Sequence, residues 1–482
     1  MRTLKMLIVS MVALVMLVSL AACGAPATQP SDSAPAESES ASAPADQPSE
    51  EASEEIVELP ADTGTVLNIW VWNEEWKGKF EKLYQEAGKV PEGVTVNFVI
   101  TPNAENAYQN ALDQALLNQE TAAPEDKIDL FLTEVDYVTK YVNSDFTLDV
   151  INDLGIKEDD IANMFDYTKI IATDTNGALK GLSWQATPGL FAYRRSIAKD
   201  VLGTDDPDEV QALLSDWTKF DAVAAQMGGK GYKMLTGFDD SYRLFSNDVS
   251  APWVDENSVI QIDANIKKWV DQTKTYTDKG YNNKSILWDA QWAADQGPGA
   301  KVFGYFMPPW GFDFVLMGNS LETPEAEGGK MEVGNGIFGD WAACEGPGSY
   351  YWGGSFLHAA AGTDNLNLVK DIIYTMTCDV ETLKEITYQF NDFCNNSVAM
   401  EEVANDTTYG SEFLGGQNHI ARFINAVQTI KMDYLTIYDQ GCNEEFQEMM
   451  RDYFNGNVSY EEAVENFYTG VIERYPNLKK PE

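Results

Sequence analysis

The sequence predicts an α/β protein built on a doubly wound sheet, and three observations predict it. Segments rich in β-branched and aromatic residues alternate with segments of helical periodicity over residues 66–132. The joints between these segments are short, as they are when helices connect parallel strands. The chain has 482 residues, which is enough for one large domain or two domains of intermediate size.

The first three strands set the frame of this sheet. We predict strands at residues 66–71, 94–100 and 128–132, because each segment is mostly apolar, as a strand buried on both faces should be. Two helices between them are indicated by apolar residues at helical spacing: Trp76, Phe80, Leu83 and Tyr84 in the first, and Tyr108, Ala111, Leu112, Ala115 and Leu116 in the second.

The residues directly after the predicted strands are candidate ligand contacts. Ligands of open α/β sheets bind outside the carboxyl ends of the strands. Trp72 and Glu74 follow the first strand, and Glu134 and Asp136 follow the third. These four side chains are therefore expected at one edge of the sheet.

Turn and strand signals continue through the middle of the chain. Residues 174–177 end in Asn-Gly and predict a hairpin turn, and residues 215–217 read as a helix start. The further expectations are a strand and loop at 232–240, strands at 302–307 and 334–338, and a Gly-rich loop at 346–355.

The last third of the chain is predicted to be mostly helical. One helix is expected over residues 365–377. The final helix begins with Ser459 followed three residues later by Glu462, which is the capping-box pattern.

The N-terminus has the pattern of an export signal. Arg2 and Lys5 precede an apolar run over residues 6–20, and small residues then lead to Cys23. A cysteine at this place is typical of lipoproteins, in which the thiol carries a diacylglyceryl group and the mature chain begins at the cysteine. Two or three acyl chains hold a protein durably on a membrane. The alternatives are a plain signal peptide, or a short membrane-spanning helix with an incidental cysteine.

The segment after Cys23 is predicted to be a disordered tether. It consists of Ala, Pro, Ser, Gln, Glu and Asp up to about residue 65, with almost no aliphatic or aromatic residues. Such a composition buries too little apolar surface to offset the entropy of ordering, and proline and like charge keep the segment extended.

The charge of the chain restricts its partners. The net charge is −43, so nucleic acid is excluded as a partner, and an anionic membrane surface repels the protein unless lipid anchors it. Twelve Trp and 22 Tyr are abundant for an acidic exported protein, and part of that excess is expected in a ligand site.

The residues of common catalytic and metal motifs are not arranged for either chemistry. The sequence has no phosphate-binding GxxxxGK loop, no GxSxG elbow and no HExxH, and its two histidines are His358 and His419. Beyond Cys23 there are four cysteines, which allow two disulfides or four free thiols and lack metal-ligand spacing. We therefore predict no metal and no cofactor.

The order of these parts resembles a known family. An export signal, a Ser/Pro/Glu-rich tether, a first strand reading Ile-Trp-Val-Trp and a third reading Asp-Leu-Phe-Leu occur in sequence. Asn-Gly then precedes Gly-Leu-Ser-Trp, a Trp follows Pro-Pro, and a Gly-Gly-Ser loop precedes a helix that begins after Thr-Asp-Asn. This resembles the extracellular solute-binding proteins of carbohydrate ABC importers, which include maltose-binding protein. Gly181-Leu182-Ser183 departs from the Gly-x-Pro that is common in the family at the entry to the second lobe.

The resemblance implies a two-lobed periplasmic-binding-protein-like fold of type II, with the ligand in the cleft between the lobes. The segments expected are a lipoprotein signal at 1–22, a tether at 23–65, lobe 1 at 66–184, lobe 2 at 185–305, a return to lobe 1 at 306–350 and a mainly helical part of lobe 2 at 351–482. Crossings between the lobes are expected near 183–189, 305–310 and 350–354. The protein is expected to be a monomer on the extracytoplasmic face of the cell membrane, with a sugar or oligosaccharide ligand and ABC permease subunits as partners.

Sugars are bound by aromatic rings that stack on pyranose faces and by polar side chains that bond the hydroxyl groups. By position, the stacking candidates are Trp72, Trp184, Tyr242, Trp310, Tyr350 and Trp352, and the polar candidates are Glu74, Glu134, Asp136, Gln185, Asp239, Asp240 and Arg422. For each of these, core packing or plain surface exposure is the competing interpretation. Four other tryptophans are expected to be structural: Trp217, Trp269, Trp288 and Trp292. Two alternatives stay open: a binding protein for a non-sugar solute, and an exported enzyme that acts on glycosides with a pair of carboxylates.

Overall fold

The computed structural model describes residues 57–432 and 434–482. The predicted signal, Cys23 and most of the tether lie outside the described residues. No helix in the described part of the chain is long and apolar enough to cross a membrane.

The end of the predicted tether differs from the expectation. Residues 57–65 lie against the start of a helix, where Asp62 accepts hydrogen bonds from the backbone N–H groups of Asn367 (2.8 Å) and Leu368 (2.9 Å). The backbone of Thr63 also donates to the carbonyl of Asp364 at 2.9 Å. An aspartate that caps a helix N-terminus from a distant segment orders that segment, and the composition of the tether does not reveal the contact.

In the described residues, seven strands form two sheets. The strands are β1 (Val66–Val71), β2 (Thr95–Ile100), β3 (Leu130–Glu134), β4 (Leu190–Arg194), β5 (Gly304–Met307), β6 (Trp341–Cys344) and β7 (Ser355–Ala359). Sixteen helices of the described residues are α1 (Glu75–Phe80), α2 (Ala107–Leu117), α3 (Val138–Val142), α4 (Asp166–Ile171), α5 (Arg195–Leu202), α6 (Pro207–Leu214), α7 (Trp217–Gly229), α8 (Tyr242–Ser246), α9 (Ala264–Lys279), α10 (Ala290–Ala294), α11 (Leu366–Thr377), α12 (Val380–Phe390), α13 (Ser397–Asn405), α14 (Ile420–Val427), α15 (Asp439–Asn455) and α16 (Tyr460–Arg474).

The first sheet has the strand order β2-β1-β3-β7 and forms the base of lobe 1. β1 pairs in parallel with both β2 and β3, as the alternating pattern of the sequence predicts. β7 is antiparallel to β3 and brings Ser355 opposite Glu134. The start of β7 therefore lies beside the carboxyl end of β3.

The second sheet has the strand order β5-β4-β6 and forms the base of lobe 2. Two strand predictions fail near this sheet. Residues 334–338 form turns, and the strand begins later, at Trp341. Residues 232–240 form only two isolated bridges and no strand. Lys233 bridges Val302, and Gly237 bridges Ser285.

Two antiparallel segments connect the lobes. Leu182 bridges Leu357, and Pro188 bridges Tyr351. The backbone N–H of Trp352 also donates to the carbonyl of Thr187 at 3.1 Å. These segments include the crossings expected near 183–189 and 350–354.

The predicted lobe boundaries after residue 305 are wrong. β6 pairs with β4, so residues 341–344 belong to lobe 2 and not to a return into lobe 1 over 306–350. β7 pairs with β3 and α11 packs on β7, so residues 355–377 belong to lobe 1. The sequence predicts neither of these two strands at its place, and the partners that define their lobes are non-local.

Lobe 2 has a second core of its own. It is formed by side chains of α8, α9, α15 and α16, among them Tyr242, Trp269, Phe446, Phe454 and Phe467. The four cysteines of the described residues are buried free thiols, which decides between the two expected states of these cysteines.

Candidate ligand-binding site

The carboxyl edge of the first sheet brings the sequence-predicted residues together. Trp72 follows β1, Glu134 ends β3, and Ser355 opposite Glu134 begins β7. The carboxyl ends of β1 and β3 and the start of β7 thus lie at one edge of the sheet. Ligands of open α/β sheets bind at this edge.

A cavity of about 290 Å³ lies at this edge, and both lobes line it. Lobe 1 contributes Trp72, Asn73, Glu75, Asn103, Glu134, Asp136 and Tyr137. The crossing segments contribute Gln185, Trp352, Gly353, Gly354 and Ser355. Lobe 2 and the segment after β5 contribute Arg243, Leu287, Trp288, Trp310, Phe314, Gln440 and Glu444.

Tryptophan rings form much of the cavity wall. The rings of Trp288 and Trp310 are nearly parallel, with centroids 6.0 Å apart and planes at 16°. Trp352 meets Trp310 edge to face at 5.3 Å, and its carbonyl accepts a hydrogen bond from the Trp310 indole N–H at 3.0 Å. On the other side, Trp72 lies edge to face on Tyr137 at 6.3 Å.

Trp288 lies in the cavity wall, although the sequence predicts a structural role for it. The residue is 57% exposed and lines the cavity. Its φ angle is +71°, a left-handed conformation that is rare for a bulky residue. Backbone strain of this kind clusters at functional sites. The irregular stretch before α10 gave no sequence signal for it.

The polar groups of the cavity are mostly engaged with each other. The Gln185 side chain accepts a hydrogen bond from the backbone N–H of Ser355 (3.1 Å) and donates to Glu75 (3.3 Å). Glu134 accepts one hydrogen bond on Oε2, from the backbone N–H of Asp136 at 2.7 Å. Burial raises the pKa of Glu134 well above its usual range, and the negative charge of Asp136 acts in the same direction.

One ion pair crosses the cleft. Arg243 at the start of α8 in lobe 2 donates two hydrogen bonds to Asp136 in lobe 1, at 3.1 Å and 2.8 Å. Such two-point pairing fixes both distance and orientation. Arg243 was not among the predicted site residues, and nothing in its local sequence distinguishes it from a surface arginine.

Two buried oxygens in the cavity lack a hydrogen-bond partner among the described residues. They are the hydroxyl of Tyr137, whose residue is 5% exposed, and Oδ1 of Asn103. Both residues line the cavity. A buried polar atom without a partner is costly, so these atoms are suited to bond a bound molecule, the Asn103 oxygen as an acceptor and the Tyr137 hydroxyl as an acceptor or a donor.

Of the thirteen predicted contacts, six line the cavity: Trp72, Glu134, Asp136, Gln185, Trp310 and Trp352. Glu74 lies outside it, exposed and paired with Lys77 at 2.9 Å. The other six predicted side chains do not line the cavity, and they contact other parts of the protein.

Three aromatic candidates are in the core. The Trp184 ring is fully buried and donates to Asp392 at 3.1 Å. Tyr242 is fully buried against Trp269, and the hydroxyl of Tyr350 donates to the carbonyl of Leu190 at 3.1 Å. Their partners come from distant segments, so position next to a strand or loop did not reveal their burial.

Three charged candidates have partners away from the cavity. Asp239 pairs with Arg451 at 3.1 Å. Asp240 accepts backbone hydrogen bonds at 2.8 Å in the loop of residues 236–240. Arg422 bridges two carboxylates in lobe 2, Glu345 and Asp208.

Several solved structures have a similar architecture. A crystal structure described as an extracellular solute-binding protein family 1 has a TM-score of 0.67 at 18% identity, covering 85% of this chain and 99% of that one. The chain has the two-lobed solute-binding-protein fold. No family model matches the chain, and no curated protein matches its sequence.

Two further structures share this solute-binding-protein fold. The GacH receptor of Streptomyces glaucescens has a TM-score of 0.62 at 16% identity, covering 86% of this chain and all of that one. The ABC transporter associated binding protein from B. animalis subsp. lactis has a TM-score of 0.63 at 15% identity, covering 87% of this chain and all of that one. At these identities the likeness establishes the fold.

Proposed function

We propose that this protein captures a sugar or an oligosaccharide outside the cell and delivers it to an ABC importer, without chemical change. The observation that carries the proposal is a cavity walled by tryptophans and lined from both lobes at the carboxyl edge of a parallel sheet. Related folds support the ligand class: the GacH receptor structure includes an acarbose complex, and the B. animalis structure contains β-1,6-galactobiose.

The chemistry of the cavity matches the two surfaces of a sugar. The apolar C–H faces of a pyranose stack on indole rings, and Trp72, Trp288 and Trp310 supply such rings. The hydroxyl groups need acceptors and donors at the ring edge, for which Glu134 and Gln185 are placed. These residues are our proposed ligand contacts.

A lipid anchor on Cys23 completes the proposal. The proposed anchor, the signal and the tether hold the binding protein, as a monomer, near the permease on the extracytoplasmic face of the membrane. What supports this is the sequence pattern around Cys23, which lies outside the described residues.

The test is a thermal-shift screen of the purified full chain against a library of mono- and oligosaccharides, followed by calorimetry on the compounds that raise the melting temperature. We expect at least one sugar to raise it and to be recovered intact. Release of shortened products would instead identify a glycoside-acting enzyme. A response only to peptides or other non-sugar solutes would overturn the sugar assignment.

A further inference from the structure

Three oxygens of the cavity are free to accept hydrogen bonds. In the described residues, Oε1 of Glu134, Oδ1 of Asn103 and the hydroxyl oxygen of Tyr137 have no partner. Two donors of the same cavity are engaged: the Trp310 indole N–H with the carbonyl of Trp352, and the Arg243 guanidinium with Asp136. A ligand that reaches the three oxygens can offer them donors.

Glu134 is also the carboxylate of the cavity that no described basic residue pairs. Asp136 pairs with Arg243, Glu75 with Lys79 at 3.4 Å, and Glu444 with Arg474 at 2.6 Å. An isolated carboxylate in a partly buried site is unfavourable until a cation neutralises it.

Gly353 lets the backbone pass close to Glu134 in the wall of the cavity. A Cβ added at Gly353 would lie 3.1 Å from Oε1 of Glu134 and 3.1 Å from the indole nitrogen of Trp310. The φ angle of Gly353 is +66°, which also favours glycine. The carboxylate and the tryptophan wall thus border one gap.

We propose that the ligand carries a protonated amine in this gap, which makes it an amino sugar if the proposed function holds. An ammonium group has three donors and no acceptor, so it can donate to Oε1 of Glu134 without leaving an acceptor of its own unpaired. Its charge pairs with Glu134, and tryptophan faces stabilise a cation by cation–π attraction. The net charge of −43 attracts cationic ligands to the protein from a distance.

The test compares matched sugars that differ at one position. Glucosamine, N-acetylglucosamine and glucose, as monomers and as β-1,4-linked oligomers, and the corresponding galactose series are titrated calorimetrically into the full chain at pH 7. We expect an amine-bearing member to bind about tenfold or more tightly than its acetylated and hydroxyl counterparts. Glu134→Gln should remove this preference. Glu86→Gln is the matched control, because Glu86 is exposed on the same lobe and pairs with Lys82.

The pH dependence gives a second readout. Burial and Asp136 raise the pKa of Glu134, Glu444 adds to this and Arg243 opposes it, so lowering the pH favours the neutral carboxyl group more readily than for an exposed glutamate. Binding of the amine should therefore weaken as the pH is lowered from 7, and Glu134→Gln should flatten that dependence. Neighbouring Tyr137 stays neutral in this range, because burial raises its pKa well above its usual value.

The outcomes separate this inference from the proposed function. Equal or tighter binding of the neutral sugars overturns the inference and leaves the sugar assignment intact. Binding of spermidine but of no sugar, weakened by Glu134→Gln, overturns the sugar assignment and supports the ammonium site. Binding of neither the sugars nor spermidine overturns both.

Discussion

Trp310 is the tryptophan whose role a single substitution tests best. Its ring stacks on exposed Trp288 and its N–H is held by the carbonyl of Trp352, so it is fixed in place while facing the cavity. We expect Trp310→Ala to weaken sugar affinity by about 1–3 kcal/mol, the range found when an aromatic anchor is truncated. Calorimetry measures the affinity, and denaturant unfolding measures the stability.

The matched control for Trp310 is Trp217→Phe. Trp217 stacks on Phe245 within lobe 2, with ring centroids 4.5 Å apart, and does not line the cavity. This variant should lower stability and leave affinity unchanged. If Trp310→Ala behaves in the same way, Trp310 belongs to the packing of the lobe and not to the site.

Cys23 is the second residue on which the proposal depends, because it is the one candidate for lipid attachment. Cys23→Ser removes the thiol that would carry the lipid, so we expect the chain to be released into the medium or left unprocessed. Fractionation of an expressing bacterium measures this. Cys378→Ser, which changes a buried free thiol, should leave the chain on the membrane. A Cys23→Ser chain that is cleaved normally and stays with the membrane contradicts the anchor.

At the scale of elements, a buried lysine of α1 forms ion pairs with carboxylates of two segments that are distant in the chain. Lys79 is 1% exposed, and its Nζ lies 3.4 Å from Glu75, 3.6 Å from Asp392 and 4.0 Å from Asp313. Asp313 is part of a π-helical segment, Gly311–Met317, that directly follows Trp310. One cation facing three carboxylates leaves negative charge uncompensated.

This excess charge predicts a pH-dependent stability. Burial raises the pKa of Asp313 to about 7, with Asp392 and Glu75 adding to the effect and Lys79 opposing it. The folded-state pKa exceeds the unfolded one, so Asp313 costs the wild type stability as the pH rises from about 4 to about 7. The stability of Asp313→Asn relative to wild type should therefore increase over this range, by up to about 1.4 kcal/mol per pH unit.

Denaturant unfolding at pH 4 to 8 measures this difference. Asp271→Asn is the control, because Asp271 lies on the surface of α9 with its side chain 68% exposed. The stability of this control should follow the wild type at every pH. A constant offset between Asp313→Asn and wild type would show that Asp313 does not titrate in this range.

The elements also show what the sequence could and could not predict. Local signals found β1, the helix that Asp216 caps and the final helix that Ser459 caps, because a cap or an apolar run acts within a few residues. The lobes of residues 341–344 and 355–359 differ from the expected ranges, because strand pairing there joins residues more than 100 positions apart. Trp288 was not among the predicted contacts for a related reason: its neighbours in the cavity wall, Trp310 and Trp352, come from other segments of the chain.

At the scale of the whole molecule, delivery to an importer requires that the loaded protein differ from the empty one. Ligand shifts the lobes only if it binds the closed arrangement more tightly, which needs contacts from both sides of the cleft. The cavity supplies these, with Glu134 and Trp72 from lobe 1 and Trp288 from lobe 2. The two crossing segments are the places where a few backbone angles can absorb the motion.

The Asp136–Arg243 pair joins the lobes across the cleft, so we expect it to limit how far the lobes open without ligand. Arg243→Met should open the free protein and enlarge its radius of gyration in small-angle scattering. Saturation with the sugar that gives the largest thermal shift should reduce the radius in wild type. If the pair is the cause, adding Asp136→Asn to Arg243→Met changes the free radius no further, since coupled residues are not additive. A wild-type radius that saturating sugar leaves unchanged would indicate a rigid site, and would count against delivery to a transporter that must recognise the loaded form.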